Sequence, residues 1–428
     1  MSRLAELIEQ LCPDGVEYRT LGEMGSLFGG LSGKTKSDFV EVDGACPFVT
    51  YKEVYSLLEI NQIPQGRVLV SSHEKQLVLQ RGDVLLTGSS ENTEEVGLTA
   101  VVTAGFNEPV YLNSFSICLR WHEPAFEPGY TKYLFASTSV RAQIRRCASG
   151  VTRFNLSKKR LEGVRVPVPP LEVQREIVRI LDQFTTLEAE LEAELEARQA
   201  QYEYYRNHLL SYESMAARGL FSWIPLRELG VWSGGGTPSK SRADYWDEGN
   251  IPWITPKDMR SSKIQNSMMN VTDRAVRESN VKLIEAPSIA LVVRSSILQH
   301  TFPIAQIDVD ATFNQDMKAL VVDFDRFEHR YIYYALSANG QEILRQTSKQ
   351  GGSVNSLVVP RLMDFEIPVP TLDEQRRIAD LLDRFDALVN DITSGLPAEI
   401  AARRAQYEHY RDRLLSFPEK RVSDRDAS

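Results

Sequence analysis

Apolar side chains recur every three, four or seven residues between positions 172 and 212, which predicts one long amphipathic helix. No proline or glycine interrupts this stretch, and at 1.5 Å per residue the helix would be about 60 Å long. Its middle repeats a four-residue unit: Leu-Glu-Ala-Glu at 187–190 and 191–194, then Leu-Glu-Ala-Arg at 195–198. These residue types favour helix, and leucines four residues apart stay on one face. The apolar stripe consists of Ile177, Leu181, Phe184, Leu191, Leu195, Tyr202, Tyr205 and Leu209.

The regions on either side of this helix have a mixed pattern. Short β-branched runs that end in turn residues predict strands at 67–70, 83–86, 99–102, 288–293 and 318–322. Helical spacing predicts one amphipathic helix near 130–146 and another near 330–347. The fold class expected from these elements is mixed α/β (α+β).

The chain also repeats itself. Val-Pro-Pro-Leu-Glu-Val-Gln-Arg-Glu-Ile at 168–177 returns as Val-Pro-Thr-Leu-Asp-Glu-Gln-Arg-Arg-Ile at 369–378, and Ala-Gln-Tyr-Glu-Tyr-Tyr-Arg at 200–206 returns as Ala-Gln-Tyr-Glu-His-Tyr-Arg at 405–411. The offset grows from 201 to 205, so the second copy gains four residues between the matched parts. Thr-Ser-Gly-Leu-Pro at 393–397 falls there, and we expect it to kink the second helix while the first stays continuous.

A duplicated block-plus-helix unit follows from this repeat. We predict two mixed α/β domains, at 1–170 (with a short N-terminal helix) and 216–370. Two long antiparallel helices of coiled-coil type, at 171–215 and at 371–428 with a C-terminal tail, are expected to separate them in a pseudo-two-fold arrangement.

Charge is distributed unevenly along the chain. The net charge is −9, but 171–215 alone carries ten acidic and four basic side chains, whereas 141–165 carries eight basic side chains and one glutamate. A basic segment of this size attracts phosphate even on an acidic protein, although a solvated face without a ligand has the same composition. The four cysteines lie far apart, no signal peptide begins the chain, and no apolar run reaches membrane-span length. We therefore expect a cytoplasmic protein without a membrane partner.

Catalytic motifs are weak. Gly-Lys-Thr at 33–35 resembles the end of a phosphate-binding loop, but the first glycine of GxxxxGK[ST] would be position 28, which is Phe28. The six histidines have no metal-ligand spacing, and no GxSxG or Asn-Pro-Pro-Tyr occurs. We predict neither a catalytic residue nor a metal site in this chain.

The motifs as a set resemble the specificity (S) subunits of type I restriction-modification systems. The resemblance rests on the two repeated segments and on four further motifs: Cys-Pro-Asp-Gly-Val-Glu-Tyr at 12–18, Gly-Gly-Thr-Pro-Ser at 235–239, Ile-Pro-Trp-Ile at 251–254 and Asn-Gln-Asp-Met-Lys at 314–318. The segment 28–36 departs from the Gly-Gly-Thr-Pro form, as expected where domains read different sequences.

This resemblance implies two target-recognition domains, each reading one half of a bipartite target in double-stranded DNA. The helices would set the spacer and dock two modification (methyltransferase) subunits, and restriction (motor and nuclease) subunits would join them. The chain itself would be non-catalytic and hold no cofactor, because S-adenosylmethionine, ATP and Mg belong to the partner subunits. Two alternatives stay open: the S-type subunit of a fused nuclease–methylase system, and a coiled-coil scaffold for protein interactions.

Candidate contacts follow from chemistry, since Arg, Lys, Asn and Gln read base edges and Lys, Arg, Ser and Thr bind phosphates. Polar loops supply the DNA-binding candidates Lys34, Lys36, Ser72, Ser89, Asn92, Arg145, Arg146, Thr152, Arg153, Asn155, Lys158, Thr237, Lys240, Lys257, Arg294, Ser296, Gln299, Ser353 and Asn355. The helix-pair or partner interface candidates are Gln174, Ile177, Leu181, Phe184, Tyr202, Leu209, Gln375, Ile378, Leu382, Phe385, Tyr407 and Leu414.

Overall fold

The computed structural model describes residues 3–71, 73–219, 221–349, 354–390 and 395–420. The chain divides into two units: unit 1 contains residues 1–192 and 400–428, and unit 2 contains residues 193–399. Each unit combines a mixed α/β block with segments of the long helices. The expected fold class is therefore confirmed, whereas the four-part division at 170, 215 and 370 stays a prediction.

Unit 1 begins with a short helix and continues with a strand-rich block. Its helices are α1 Arg3–Leu11, α2 Leu21–Met24, α3 Tyr51–Ser56, α4 Pro128–Ala136, α5 Thr138–Arg146 and α6 Lys158–Leu161, followed by α7 Leu171–Leu209, which continues into unit 2. Its strands are β1 Glu17–Thr20, β2 Gly25–Gly29, β3 Cys46–Val49, β4 Glu59–Ile60, β5 Arg67–Val68, β6 Val84–Thr87, β7 Ser89–Ser90, β8 Thr99–Val102, β9 Tyr111–Leu112, β10 Ser116–Trp121, β11 Ala148–Ser149, β12 Phe154–Leu156 and β13 Arg165–Val168.

The central sheet of unit 1 has the strand order β2-β10-β6-β8-β4. Every residue of β6 and β8 is buried, as expected for continuous β-branched runs. Three smaller sheets have the orders β5-β3-β9, β11-β12-β7 and β1-β13. Helix α4 covers the central sheet with the fully buried rings of Tyr130, Tyr133 and Phe135.

The two ends of unit 1 are held together. The Val16 N–H donates to the Pro418 carbonyl oxygen at 2.9 Å, and the Lys420 N–H donates to the Val16 carbonyl oxygen at 2.9 Å. Leu4 of α1 and Leu415 share one apolar core. The start of the chain and residues 415–420 therefore form one continuous structure.

Unit 2 repeats this plan. Its helices are α8 Tyr212–Arg218, α9 Asp273–Glu278, α10 His329–Ala338, α11 Gly340–Thr347, α12 Val359–Asp364, α13 Leu372–Asn390 and the start of α14 Leu396–Leu414, which continues into unit 1. Its strands are β14 Phe221–Pro225, β15 Gly230–Gly234, β16 Ile251–Ile254, β17 Lys263–Ile264, β18 Asn270–Val271, β19 Ser288–Val292, β20 Ile304–Ile307, β21 Thr312–Phe313, β22 Met317–Val322 and β23 Glu366–Pro370.

The sheets of unit 2 match three of those in unit 1, and where unit 1 has the sheet β11-β12-β7, unit 2 has the isolated bridges Arg294–Ser356 and Ser348–Leu357. The five-stranded sheet runs β15-β22-β19-β20-β17, beside the smaller sheets β18-β16-β21 and β14-β23. The register matches as well, because Val84 pairs with Leu119 in unit 1 and Ile289 pairs with Leu320 in unit 2. The duplication predicted from the repeat is thus present at the level of single residue pairs.

The long helix α7 is continuous over 39 residues, as the sequence predicts. In unit 1 it packs antiparallel to α14, because Phe184 contacts Tyr410 and, further along α7, Glu188 and Glu192 pair with Arg404. The second arm consists of α13 and α14, and residues 391–394 between them lie outside the described part of the chain. The predicted kink at 393–397 therefore stays a prediction.

One prediction about helices is wrong. The segments 130–146 and 330–347 each form two helices, α4 with α5 and α10 with α11, instead of one. Ser137 has extended backbone (φ −66, ψ 148), and its hydroxyl donates to the Leu134 carbonyl oxygen at 2.6 Å, which ends α4. Asn339 ends α10 by donating from its side-chain amide to the Ala335 carbonyl oxygen at 2.8 Å. Both residue types compete with the helix for backbone hydrogen bonds.

Candidate nucleic-acid interface

A cleft of about 640 Å³ in unit 2 gathers four of the predicted DNA-binding residues. Lys240, Lys257, Arg294 and Ser296 line it. Their side chains come from three separate segments, because Arg294 and Ser296 are only two residues apart, and each of the four residues is exposed. The fold thus brings three basic side chains and a hydroxyl to one concave surface, which Asp258 and Asp316 also line.

Asn314 shapes the floor of this unit 2 cleft. It is buried (7% exposed); its N–H donates to the Ile254 carbonyl oxygen at 3.0 Å, and its side-chain oxygen accepts from the Asp316 N–H at 3.1 Å. Gly235 lies so close that a Cβ atom there would be 1.9 Å from the Asn314 carbonyl oxygen. Gly30 and Asn113 have the same relationship in unit 1, also at 1.9 Å. Gly30 and Gly235 therefore serve close backbone packing, which a side chain at either position would prevent.

Arg294 is held at the wall of the unit 2 cleft. Its Nε lies 3.3 Å from Asp316 Oδ1, while 61% of its side chain is exposed. Its backbone N–H donates to the Asp316 carbonyl oxygen at 3.3 Å. The guanidinium is thus anchored on one edge and open to a ligand on the rest of its surface.

A second, shallower cleft of about 770 Å³ adjoins the first and shares Lys257. Arg260 and Lys263 line it together with Lys257, and all three are exposed. Sequence reasoning missed Arg260 and Lys263. The sequence does contain a signal for them: Lys257, Arg260 and Lys263 follow strand β16 at intervals of three residues, which indicates a basic surface segment.

Unit 1 has a cleft of about 420 Å³ whose lining includes Tyr51, Ser89, Phe115 and Arg153 together with the carboxylates of Glu91 and Glu95. The Arg153 Nε and Nη2 donate to Ser89 Oγ at 3.2 and 3.0 Å. The Tyr51 hydroxyl donates to the Ser89 carbonyl oxygen at 2.7 Å. Ser89 is buried (7% exposed), whereas Phe115 is 60% exposed. The hydroxyl of Ser89 therefore holds an arginine rather than facing solvent.

The clefts of unit 1 and unit 2 occupy equivalent positions in the repeat. In unit 1, Val84 pairs with Leu119, and Ser89 follows Val84 by five residues. In unit 2, Ile289 pairs with Leu320, and Arg294 follows Ile289 by five residues. Ser89 and Arg294 therefore stand at the same position of the repeat, and each lines its cleft. Phe115 corresponds to Asp316, because the Gly88 N–H donates to the Phe115 carbonyl oxygen at 2.9 Å and the Val293 N–H donates to that of Asp316 at 2.8 Å. Equivalent backbone thus carries different side chains in the two clefts.

The basic segment of unit 1 divides into paired and open residues. Arg145 forms an ion pair with Glu94. Arg146 and Lys158 are exposed, and neither forms a salt bridge with another described residue. Thr152 and Asn155 are exposed as well, and Asn155 donates from its side chain to the Arg153 carbonyl oxygen at 3.4 Å.

The remaining candidates of unit 1 are spread over its surface. Lys34 lies 2.6 Å from Glu74, and only 6% of the lysine side chain is exposed. This lysine is the main reason that the pKa of Glu74 falls to about 2. Lys36 is exposed, and Asn92 donates to Glu95 at 3.2 Å. Ser72 lies outside the described residues.

The other described candidates of unit 2 do not line the unit 2 cleft. Thr237 is hydrogen bonded to Gln315. Gln299 is exposed, and the Asn355 carbonyl oxygen accepts from the Ser295 N–H at 3.0 Å. Ser353 lies outside the described residues.

Most of the predicted helix-pair residues are buried within the units. Ile177, Leu181, Ile378 and Leu382 are at most 1% exposed. The partly buried side chains that pack on the same cores are Phe184, Leu209, Phe385, Tyr407 and Leu414, and Tyr202 is buried with them. These residues therefore contribute to the interior of both units, whereas Tyr205 of the predicted stripe is exposed.

Gln174 and Gln375 also lie inside, instead of facing a partner. Gln174 accepts from the Glu127 N–H at 2.8 Å and donates to the carbonyl oxygens of Ala125 at 2.9 Å and Pro169 at 2.8 Å. Gln375 accepts from the Glu328 N–H at 2.9 Å and donates to the Pro370 carbonyl oxygen at 2.9 Å. Each amide fastens the start of a long helix to the loop before α4 or α10.

Within the described residues, no group of three or more His, Cys, Asp or Glu side chains has the geometry of a metal site. Among the described helices, none has both the length and the apolar composition that a membrane crossing requires. Each of the two clefts offers hydrogen-bond donors and an arginine on a concave surface, beside carboxylates: Glu91 and Glu95 in unit 1, Asp258 and Asp316 in unit 2.

Comparison with protein families gives one match that covers most of the chain. The model of the type I restriction modification DNA specificity domain matches residues 13–197 and again residues 223–402. The two matched segments correspond to the two copies of the repeat.

Curated relatives agree with this match. The specificity subunit of the type I restriction enzyme EcoR124I/EcoR124II from Escherichia coli is 52% identical over 252 residues, which cover 59% of this chain and 61% of that protein. The aligned part is thus less than two thirds of that relative's length. A putative type I restriction enzyme specificity subunit from Haemophilus influenzae is 30% identical over 282 residues, covering 63% of this chain and 68% of the relative.

Two solved structures share the fold. One comes from a study of complex assembly and conformational transition of the type I R-M system; it has a TM-score of 0.68 at 17% identity and covers 95% of this chain and 98% of its own. The other is the HsdS subunit from Thermoanaerobacter tengcongensis, with a TM-score of 0.53 at 18% identity and the same coverage.

Proposed function

This chain belongs to the type I restriction-modification DNA specificity family, and from this premise we propose that each of its two units reads one half of a bipartite sequence in double-stranded DNA. In this proposal the clefts of unit 1 and unit 2 contact the bases, and the open basic residues around them contact phosphates. The long helices set the number of unspecified base pairs between the half-sites.

One observation carries this proposal: the two units present clefts at equivalent positions of the repeat, with different side chains. Hydrogen-bonding side chains on a concave surface can read base edges, and basic residues outside the clefts can bind phosphates. Conserved backbone with altered lining is what two different half-sites require, because base identity is read by individual side chains. Arg153 and Phe115 stand in unit 1 where Val354 and Asp316 stand in unit 2.

The chemistry is assigned to other subunits. We propose that two modification subunits dock on the helices and methylate adenine with S-adenosylmethionine, and that restriction subunits add ATP- and Mg-dependent translocation and cleavage. The chain itself would be non-catalytic and would act in the cytoplasm, where these cofactors are available. The two alternatives, a fused nuclease–methylase system and a coiled-coil scaffold, are not favoured by the family and its relatives.

Methylome sequencing tests the function. Cells that produce this chain with its modification subunit should carry methyladenine in one bipartite motif, and cells that lack the chain should lose that motif entirely. Methylation at a continuous motif, or methylation that does not depend on the chain, would refute the proposal. A gel-shift titration with random duplexes, alone and with the modification subunit, separates DNA binding from a scaffold role.

A further inference from the structure

The two clefts hold an arginine guanidinium at equivalent places, although the arginines come from different parts of the repeat. In unit 2 the guanidinium belongs to Arg294 itself. In unit 1 the equivalent residue is Ser89, and the guanidinium of Arg153 lies on its hydroxyl. We propose that Arg294 and Arg153 are specificity-determining residues, each reading one guanine in its own half-site. This inference rests on the proposed function and names the base that each cleft selects.

Strand pairing shows that Ser89 corresponds to Arg294 and that Arg153 corresponds to Val354. Ser89 pairs with Asn155 across β7 and β12, and Arg294 forms the corresponding bridge with Ser356. The Leu156 N–H donates to the Gly88 carbonyl oxygen at 2.9 Å, and the Leu357 N–H donates to that of Val293 at 2.8 Å. Arg153 therefore occupies the position of Val354, which lines the unit 2 cleft.

Each guanidinium is fixed on one edge by the protein. Asp316 holds the Nε side of Arg294 and is itself held by Asn314, whose side-chain amide donates to Asp316 Oδ2 at 3.4 Å. Ser89 Oγ accepts from two nitrogens of Arg153 and is fixed in turn by its burial in strand β7. Asp316 and Ser89 are thus positioning residues for the two arginines. Fixing the side chain before binding lowers the entropy that recognition costs.

A guanidinium held in this way suits guanine. The bidentate pair of arginine with O6 and N7 of guanine is the commonest base-specific contact in the major groove. Lysine presents a single charged point instead of a planar fork, so it does not reproduce this geometry. An arginine that contacts phosphate needs no such orientation. We expect the exposed Arg260 in the neighbouring cleft to make a contact of this second kind.

The test uses the complete complex of the chain with its modification subunits. Methylation rates are measured on duplexes in which each position of the wild-type target is replaced in turn by the other three bases. With Arg294→Ala, discrimination at one guanine of one half-site should fall by about 5- to 150-fold, the range that a bidentate contact supplies. Arg153→Ala should relax one guanine in the other half-site, and Arg294→Lys should not restore the lost discrimination.

Two further variants separate three roles: contact with the guanine, orientation of the arginine that makes this contact, and a general contribution of positive charge. Asp316→Asn should reduce discrimination at the same guanine as Arg294→Ala and leave all other positions unchanged. Arg260→Ala is the matched control, and it should weaken methylation of all duplexes to a similar degree. Thermal unfolding of each variant verifies that the complex remains folded.

The outcomes separate this inference from the function on which it rests. If the wild-type complex shows no bipartite target, the proposed function fails. If the wild type has such a target but Arg294→Ala and Arg153→Ala weaken all duplexes equally, or relax a position that is not guanine, this inference is refuted and the function stands.

Discussion

The ring of Phe184 stacks on the ring of Tyr410, with centroids 5.6 Å apart and planes inclined by 28°. Both residues lie in unit 1. The corresponding residues of the repeat, Phe385 and Tyr205, stack in unit 2 at 6.0 Å and 23°. In each unit, two segments of the long helices are therefore joined by the same contact, α7 with α14 in unit 1 and α13 with α7 in unit 2.

The hydroxyls of two buried tyrosines fasten the blocks to these helices in the same duplicated way. Tyr133 donates to Asp182 at 2.5 Å in unit 1, and Tyr334 donates to Asp383 at 2.6 Å in unit 2. Burial raises the pKa of both phenols, and the hydrogen bond to the carboxylate adds to the effect. Both tyrosines therefore stay protonated donors near neutral pH.

Leu382 anchors α13 in the core of unit 2, and we predict a large loss of stability when it is truncated. Its side chain is fully buried, whereas neighbouring Leu381 is 37% exposed. Leu382→Ala should lower the free energy of unfolding by about 2–5 kcal/mol, through lost burial and the cavity left behind. Leu381→Ala should change it by about 0.5 kcal/mol or less. Urea unfolding monitored by circular dichroism measures both, and equal effects would contradict this packing.

Gln375 should prove structural rather than partner-facing. Gln375→Ala leaves the part-buried Glu328 N–H without its acceptor, which costs about 1–3 kcal/mol of stability. The exposed Gln183 on α7 provides the control, and Gln183→Ala should leave the unfolding midpoint unchanged. A stable Gln375→Ala variant that no longer binds the modification subunit would instead place this side chain at the partner interface.

His329 should make unit 2 sensitive to acid. It is buried (6% exposed), and neither ring nitrogen has a hydrogen-bond partner within the described residues. Burial lowers the pKa of His329 below 6.5; nearby Asp308 and Glu328 act in the opposite direction, and Arg330 acts in the same direction as burial. Because the unfolded chain takes up the proton more readily, the free energy of unfolding should fall as the pH drops below about 6.5.

Urea midpoints between pH 8 and pH 5.5 test the role of His329. His329→Leu removes the titrating group, so its midpoint should decline less over the acidic part of this range than that of the wild type. The exposed His300 is the matched control, and His300→Gln should follow the wild-type curve. The same acid dependence in His329→Leu and wild type would show that another group is responsible.

Arg146 and Lys158 should act through phosphate. Neutralising both residues with Arg146→Gln and Lys158→Gln should weaken binding to every duplex and reduce the slope of log affinity against log salt by about two, roughly 0.9 for each contact. Arg198→Gln serves as the control, since Arg198 is paired with Glu194 at 2.7 Å on α7. An unchanged slope in the double variant would show that these two residues do not bind phosphate and belong to a solvated surface without a ligand.

The sequence predicts those parts of the fold that local patterns determine. Helix α7 was expected at 172–212 and spans Leu171–Leu209, and the five predicted strands all coincide with observed ones. Asn113 and Asn314 hold the same place in the two copies, and each donates its backbone N–H to a strand carbonyl oxygen, that of Val49 or that of Ile254. Periodicity and repetition are thus sufficient for the architecture.

Periodicity and repetition do not predict which side chains meet in the clefts. Arg153 reaches Ser89 because β12 pairs with β7, a contact between segments 64 residues apart that no local pattern specifies. The pairing of Lys34 with Glu74 is equally long-range, and it removes a lysine that the sequence offered as a phosphate contact. The breaks at Ser137 and Asn339 depend on side-chain hydrogen bonds that compete only weakly with helix formation.

In the proposed function, different parts of the chain recognise the bases and set the spacer length. The clefts select the two half-sites, and the long helices set the number of base pairs between them. Inserting one Leu-Glu-Ala-Glu unit after Glu194 tests this claim most directly. The insertion lies beyond Glu192, which pairs with Arg404 in unit 1, and before Leu195, which packs on the core of unit 2. It leaves both clefts unchanged and lengthens a continuous helix by about 6 Å.

Methylome mapping of the insertion variant is the decisive measurement, with Glu190→Gln as a control of unchanged length. Since one base-pair step is about 3.4 Å, and tilt or bending absorbs part of the shift, the unspecified spacer should grow by about one or two base pairs. Both half-sites should stay as in the wild type. An altered half-site together with an unchanged spacer would contradict the account.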